Sequence, residues 1–166
     1  FGCDPSRMAV MGDSAGGNLA AVVAQLSPVP LRFQVLIYPV MDMAMDTESY
    51  REFRDGPLLA RRAMEWFGEQ YVQGTSANLL DPRVSPLRAG DSLVRQCPPG
   101  MVITAECDPL RDEGDAYAAA LSSDGVKVNH IRAHGHIHTS ISMVGVILSG
   151  ARYREQMAAA VRGFFS

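Results

Sequence analysis

Apolar positions in this chain follow two alternating rhythms. Short apolar, β-branched runs occupy residues 7–11, 33–38, 101–105 and 126–131, with the length and composition of buried strands. Between and after them, apolar residues recur at helical spacing over residues 15–26, 60–72, 112–123 and 148–164. Strands separated by helices predict βαβ crossovers, and so an α/β fold: a parallel sheet with helices on both faces. Two of the three gaps between strands hold a single helix. The third, from Pro39 to Pro99, is about sixty residues long and contains more than a crossover needs. Its first part, residues 42–57, is charged and reads as irregular. Its second part, residues 61–71, is an amphipathic helix carrying the only tryptophan, Trp66. Residues 42–75 then read either as a partial cap or lid over the carboxyl end of the sheet, or as a crossover helix with a long surface loop.

Composition narrows the class without naming a chemistry. A chain of 166 residues, 47% apolar, is expected to form a single domain, residues 1–166. Its net charge of −3 comes from 15 basic and 18 acidic residues, scattered without a basic stripe, so nucleic acid is not an expected partner. The most apolar late run, residues 141–148, is too short to span a bilayer and is broken by Gly145. Cys3, Cys97 and Cys107 form no C-x-x-C pair, and their odd number argues against a disulfide framework. They read as small buried hydrophobes in a reducing, cytoplasmic setting. The chain begins at Phe1 rather than Met, so a targeting segment upstream stays open.

One local pattern carries chemistry. Gly12-Asp13-Ser14-Ala15-Gly16-Gly17 joins the first predicted strand to the first predicted helix. That strand–turn–helix arrangement lifts a nucleophilic hydroxyl clear of the backbone. Glycines on both sides are expected because side chains would clash in so tight a turn. The helix start would aim free N–H groups and the positive dipole end at the apex. The bare string arises by chance in roughly one chain in ten of this composition, so partners must be sought downstream. A serine nucleophile needs a base within hydrogen-bond reach and a group to orient that base. Two later strands run into suitable residues, Glu106-Cys107-Asp108-Pro109 and His134-Gly135-His136-Ile137-His138. Their order with Ser14 is serine, aspartate, histidine.

Each partner has a competing reading. Asp108, with Pro109 after it, is placed to N-cap the next helix. Asp112 and Asp115 lie further along that helix, where solvent exposure is the default. His134, His136 and His138 alternate, so an extended segment would put them on one face. That suits a metal, a His-rich surface loop, or a loop in which one member is the base.

Several segments together resemble the hormone-sensitive-lipase branch of the α/β-hydrolases, the bacterial family IV esterases. They are Gly-Asp-Ser-Ala-Gly-Gly-Asn-Leu-Ala-Ala at 12–21, Gln-Val-Leu-Ile-Tyr-Pro at 34–39, Asp81-Pro82-Arg83-Val84-Ser85-Pro86-Leu87, Pro98-Pro99, Asp108-Pro109-Leu110-Arg111-Asp112-Glu113-Gly114 and Gly135-His136-Ile137-His138. The likeness covers essentially the whole chain. It implies a serine carboxylic-ester hydrolase of short-to-medium acyl esters, with Ser14 as nucleophile, Asp108 as orienting acid and His138 as base. It also implies an oxyanion donor in the N–H of Ala15, next to Gly12, Asp13 and Gly16 of the elbow, and a cap over the acyl pocket from residues 42–75. Such chemistry requires no metal or organic cofactor.

Two departures stand out. Thr139-Ser140 stand where the family usually has Gly-Phe after the catalytic histidine. The family's His-Gly-Gly-Gly loop and four earlier strands are also absent, so the chain looks like the C-terminal half of such an enzyme. The first strand would then be a bare apolar edge, and the chain unstable, oligomeric through that edge, or part of something longer. A catalytically inactive hydrolase-like binding module is the alternative, and a His-rich metal-binding domain a further one.

Overall fold

The fold rests on four parallel strands, seen in a computed structural model that describes residue 2 and residues 4–165. Strands β1 (Ala9–Asp13), β2 (Phe33–Ile37), β3 (Gly100–Cys107) and β4 (Val128–Ile137) lie side by side in that order, every neighbouring pair parallel. Helix α1 (Ala15–Leu26) links β1 to β2, and α5 (Arg111–Ser123) links β3 to β4. The 62-residue connection between β2 and β3 carries α2 (Glu48–Glu52), α3 (Arg61–Val72) and α4 (Asp91–Arg95), and α6 (Ala151–Phe165) closes the chain.

Every residue of β2 is buried, as a strand covered on both faces requires. Its pleat divides the core. Phe33, Val35 and Ile37, with Met101 and Ile103 of β3, pack on Tyr153 and Met157 of α6. Leu36 and Val102 face the other way, against Ala20, Ala21 and Ala24 of α1 and Tyr117, Ala118 and Leu121 of α5. The alanines let α1 lie close to the sheet. Its larger apolar residues, Leu19, Val23 and Leu26, face outward and are exposed, as is Met11 on β1. β1 is hydrogen-bonded to β2 alone and forms one edge of the sheet.

A third cluster lies over the carboxyl ends of the strands. Val40, Met45, Tyr50, Leu59, Met64 and Val84 of the long connection pack together with Leu110. Residues 42–57 are therefore not wholly irregular, since α2 forms there. Ser49 anchors it: its N–H donates to Asp112 Oδ2 (2.8 Å) and its hydroxyl to the Pro109 carbonyl (2.7 Å). Asp112 is thus not a solvated helix residue, and neither is Asp115, which accepts from Thr104 (2.7 Å) and pairs with His130 and Arg132 of β4. Burial alone would raise the Asp115 carboxyl, but His130, Thr104 and Arg132 hold it down at about 2.

The strands run beyond their apolar runs. β1 extends to Asp13 because parallel pairing continues until Asp13 faces Ile37. β4 extends to Ile137, so residues 132–137 are strand rather than loop. Cys97 is buried against Tyr117 and Cys107 is half-buried, while Cys3 lies outside the described residues. Among the described residues no helix is long and apolar enough to cross a membrane.

Candidate active site

Ser14 sits at the apex of a strained turn. Its φ of 52° and ψ of −119° lie where L-residues are rarely found. Three backbone hydrogen bonds hold it there. Ser14 N–H donates to the Ile37 carbonyl (2.9 Å), and the Ser14 carbonyl accepts from Asn18 (3.1 Å) and Val40 (3.2 Å). Gly12 is required because a Cβ there would come within 2.1 Å of the Gly16 carbonyl oxygen. The second steric demand falls on Gly17 rather than Gly16. A Cβ on Gly17 would meet Pro39 at 2.7 Å, whereas one on Gly16 meets only Asp13 Oδ1 at 3.9 Å. Asp13 itself is exposed at the end of β1.

The candidate acid and base follow the third and fourth strands. Asp108 directly follows β3 and is fully buried, and His138 directly follows β4 and is 5% exposed. His138 Nδ1 lies 2.7 Å from Asp108 Oδ2, and its Nε2 lies 2.9 Å from Ser14 Oγ. A carboxylate only accepts, so Nδ1 carries the ring proton and Nε2 is free to accept from the serine hydroxyl. Asp108 also receives the Leu110 N–H on Oδ1 (3.0 Å). It is not the helix cap, however, because α5 starts at Arg111 with Leu110 in the cap position. Both oxygens of this buried carboxylate are thus occupied, which offsets its desolvation. The edge of Tyr38 meets the His138 ring at 4.9 Å, and its hydroxyl bonds Ser142 Oγ at 2.5 Å.

The three alternating histidines do not share a face. Between Ala105↔Ala133 and Cys107↔Ile137 the ladder skips, and Gly135 turns through a φ of +73°. Four residues of β4 therefore span two of β3, and side-chain alternation breaks. His134 is exposed beside Glu106, His136 is buried, and only His138 reaches Ser14. Among the described residues no three His, Cys, Asp or Glu side chains gather as metal ligands.

A cavity of about 560 Å³ opens beside Ser14. Ala15, Asn18 and Leu19 line one wall, Val40, Met43 and Leu59 another, and Met64, Phe67, Gln70 and Tyr71 of α3 the third. The N–H groups of the first turn of α1 begin at Ala15, ahead of the first helical hydrogen bond from Asn18. Asn18 has a role that its place in the sequence did not announce. Its amide donates to the carbonyls of Val40 (2.8 Å) and Val84 (2.9 Å), pinning two loops at the cavity floor. A polar residue one turn after the serine, on a helix face lined mainly by alanine, was the available signal. Glu113 works similarly: fully buried, it accepts the Met41 N–H at 2.7 Å, and burial pushes its carboxyl well above the usual range.

A serine lifted off the end of a parallel strand, with acid and base supplied after later strands, defines an α/β hydrolase. A family model described as alpha/beta hydrolase fold matches residues 1–142. The chain is 40% identical over 152 residues to ethyl acetate hydrolase of Pseudomonas putida, covering 89% of this chain and 47% of that one. It is 36% identical over 166 residues to carboxylesterase NlhH of Mycobacterium tuberculosis, covering 98% and 52% respectively. Among solved structures, the esterase rPPE superposes with a TM-score of 0.91 at 36% identity, covering 97% of this chain and 52% of that one. Carboxyl esterase 2 of Tuber melanosporum gives a TM-score of 0.89 at 29% identity, with 99% and 56% covered. The chain belongs to the α/β-hydrolase fold family, on its hormone-sensitive-lipase branch. It spans about half the length of the curated relatives it matches.

Proposed function

We propose that this protein hydrolyses carboxylic esters of short-to-medium acyl chains, with Ser14 as nucleophile, His138 as base and Asp108 as orienting acid. The observation that carries the reading is the unbroken relay: 2.9 Å from Ser14 Oγ to His138 Nε2, then 2.7 Å from Nδ1 to Asp108. His138 takes the serine proton as Oγ attacks the ester carbonyl, and Asp108 steadies the imidazolium that forms. The Ala15 N–H, beside Gly16 at the positive end of α1, stabilises the oxyanion, and one such donor is worth about 10²–10³ in rate. His138 then returns the proton to the departing alcohol, leaving Ser14 acylated. Water enters, gives its proton to His138, and releases the acid as Oγ recovers a proton.

The cavity supports the substrate class. Its walls are almost wholly apolar, with Met43, Leu59, Met64 and Phe67 offering no charge to bind an acidic substituent. Residues 42–75 serve as a partial cap over this acyl pocket, within one catalytic domain. Two relatives are named for ester hydrolysis, ethyl acetate hydrolase and carboxylesterase NlhH, and the proposal extends that activity to this chain. Replacing Ser14→Ala is expected to lower kcat on p-nitrophenyl butyrate by at least about 10⁴-fold, with the circular dichroism spectrum unchanged. Full activity in that variant would overturn the proposal, and absence of turnover in the folded wild-type protein would favour an inactive, ligand-binding module.

A further inference from the structure

His138 opens a tight reversal that this chain builds in an unusual way. Thr139 follows it with φ +63°, the left-handed region that a β-branched side chain disfavours. Glycine enters that region without penalty, and the Thr139-Ser140 departure from Gly-Phe noted above falls on this turn. A threonine stays there only if the surroundings over-determine the turn.

The surroundings do. Ser140 Oγ donates to the Ile137 carbonyl (2.7 Å) and, its proton spent, accepts from His136 Nδ1 (2.8 Å). His136 is 3% exposed and stands edge-on to Tyr153 of α6, ring centroids 5.1 Å apart. Its Nε2 has no hydrogen-bond partner among the described residues. A proton on that nitrogen would bury a donor without an acceptor, so the ring is neutral and carries its one proton on Nδ1. Burial, and then the nearby Arg152 guanidinium, push the imidazole pKa below its ordinary value. The far end of the reversal is tied as well. Arg154 donates to the Ile141 carbonyl (2.5 Å), and Tyr38 holds Ser142.

We propose that His136 and Ser140 are positioning residues for His138, their hydrogen bond closing a ring of five residues around it and fixing both imidazole nitrogens toward their partners. The inference rests on the esterase reading given above. The closure spans the base symmetrically, two residues before it and two after. Without it, Thr139 keeps its strain and loses its restraint, and relaxation at Thr139 swings the neighbouring ring. A displacement of about 1 Å at a reacting group can cost about 10²-fold in rate.

The test uses four variants of the protein and two readouts. His136→Phe keeps the ring against Tyr153 but removes the donor, and is expected to lower kcat 10- to 100-fold with KM unchanged. Ser140→Ala should match it, and the double variant should fall no further than either single one. His136→Asn carries an amide N–H near the Nδ1 position and should restore most of kcat. The second readout is the nitrogen-15 spectrum of His138, which does not depend on turnover. Wild type should give one fixed Nδ1–H tautomer, and His136→Phe an averaged signal. If wild type fails to turn over any ester, the functional reading falls while the spectra still decide the positioning role. Should His136→Phe not fold, Ser140→Ala and His136→Asn carry the comparison. A wild-type His138 spectrum in the folded variants lacking the bond, or His136→Asn no more active than Ser140→Ala, would overturn the proposal.

Discussion

The two sides of Ser14 are built from different materials. Toward β3 and β4, the groups linked to it are buried and hydrogen-bonded, with Asp108 fully buried and His138 at 5% exposure. Toward β1 and the outer face of α1, the neighbours are apolar and open: Met11 is 56% exposed and Leu19 54%. The first side is held by hydrogen bonds from the ends of two strands and the entrance of α5. The second side presents a sheet edge and large apolar side chains, a surface that favours association. The hydrogen-bonded Ser14–His138–Asp108 arrangement and the open apolar edge thus lie on separate parts of one small sheet.

The largest way to break this contrast is at the acid. Asp108→Asn keeps the size of the side chain but lets an N–H face His138 Nδ1, forcing the wrong tautomer. Turnover of a p-nitrophenyl ester is expected to fall about 10⁴-fold with little change in thermal unfolding. Next comes packing. Leu36→Ala, at a position buried on all sides, should cost about 3 kcal/mol in urea unfolding, whereas Met11→Ala at the open edge should cost under about 0.5 kcal/mol in the isolated chain. Equal losses at the two sites would mean that β1 is as enclosed as β2.

Acid offers a gentler probe of the closed side. Hydrogen bonds from His130, Thr104 and Arg132 hold Asp115 at about 2, against an ordinary value of 3.8. A depressed carboxyl stabilises the fold above its unfolded value, and that contribution disappears as pH falls from about 4 towards about 2. Asp115→Asn should therefore lower stability at pH 6 and flatten the loss over that window in urea titrations. A curve parallel to wild type would show that Asp115 plays no part in acid unfolding. The open side is sharpened by size-exclusion chromatography. The 18.0 kDa chain should elute above monomer size, and Met11→Lys with Val23→Lys should move it towards monomer. A well-behaved monomer from the start would count against cohesion through that face.

The sheet was legible because buried strands and amphipathic helices have different periods, and the four apolar runs mark all four strands. The Ser14 elbow was legible because glycine, serine and the strand-to-helix switch occur together. Asp108 and His138 were narrowed by strand ends and chain order, and assigned through family resemblance. What stayed hidden depends on long-range pairing. The break between His134 and His138 comes from a skipped register against β3, for which Gly135 is the one local sign and the pairing with β3 the cause. Helix α2 exists because Ser49 finds Asp112 and Pro109 some sixty residues away, and propensity alone is silent on such contacts. The demand on Gly17 arises from Pro39, beyond the end of the next strand. Phe67 and Tyr71 read as one face of an amphipathic helix, and only tertiary packing sets that face against Ser14.

Burial and pairing on the closed side are expected to make Ser14 a nucleophile. A fluorophosphonate reacts with a serine only when a neighbouring base can take its proton. Incubation of the protein with such a reagent, followed by peptide mass spectrometry, reads this at one residue. A single adduct on Ser14 is expected, abolished in His138→Ala and strongly slowed in Asp108→Asn. An unlabelled Ser14 in the folded protein, or labelling that persists at the wild-type rate without His138, would contradict it.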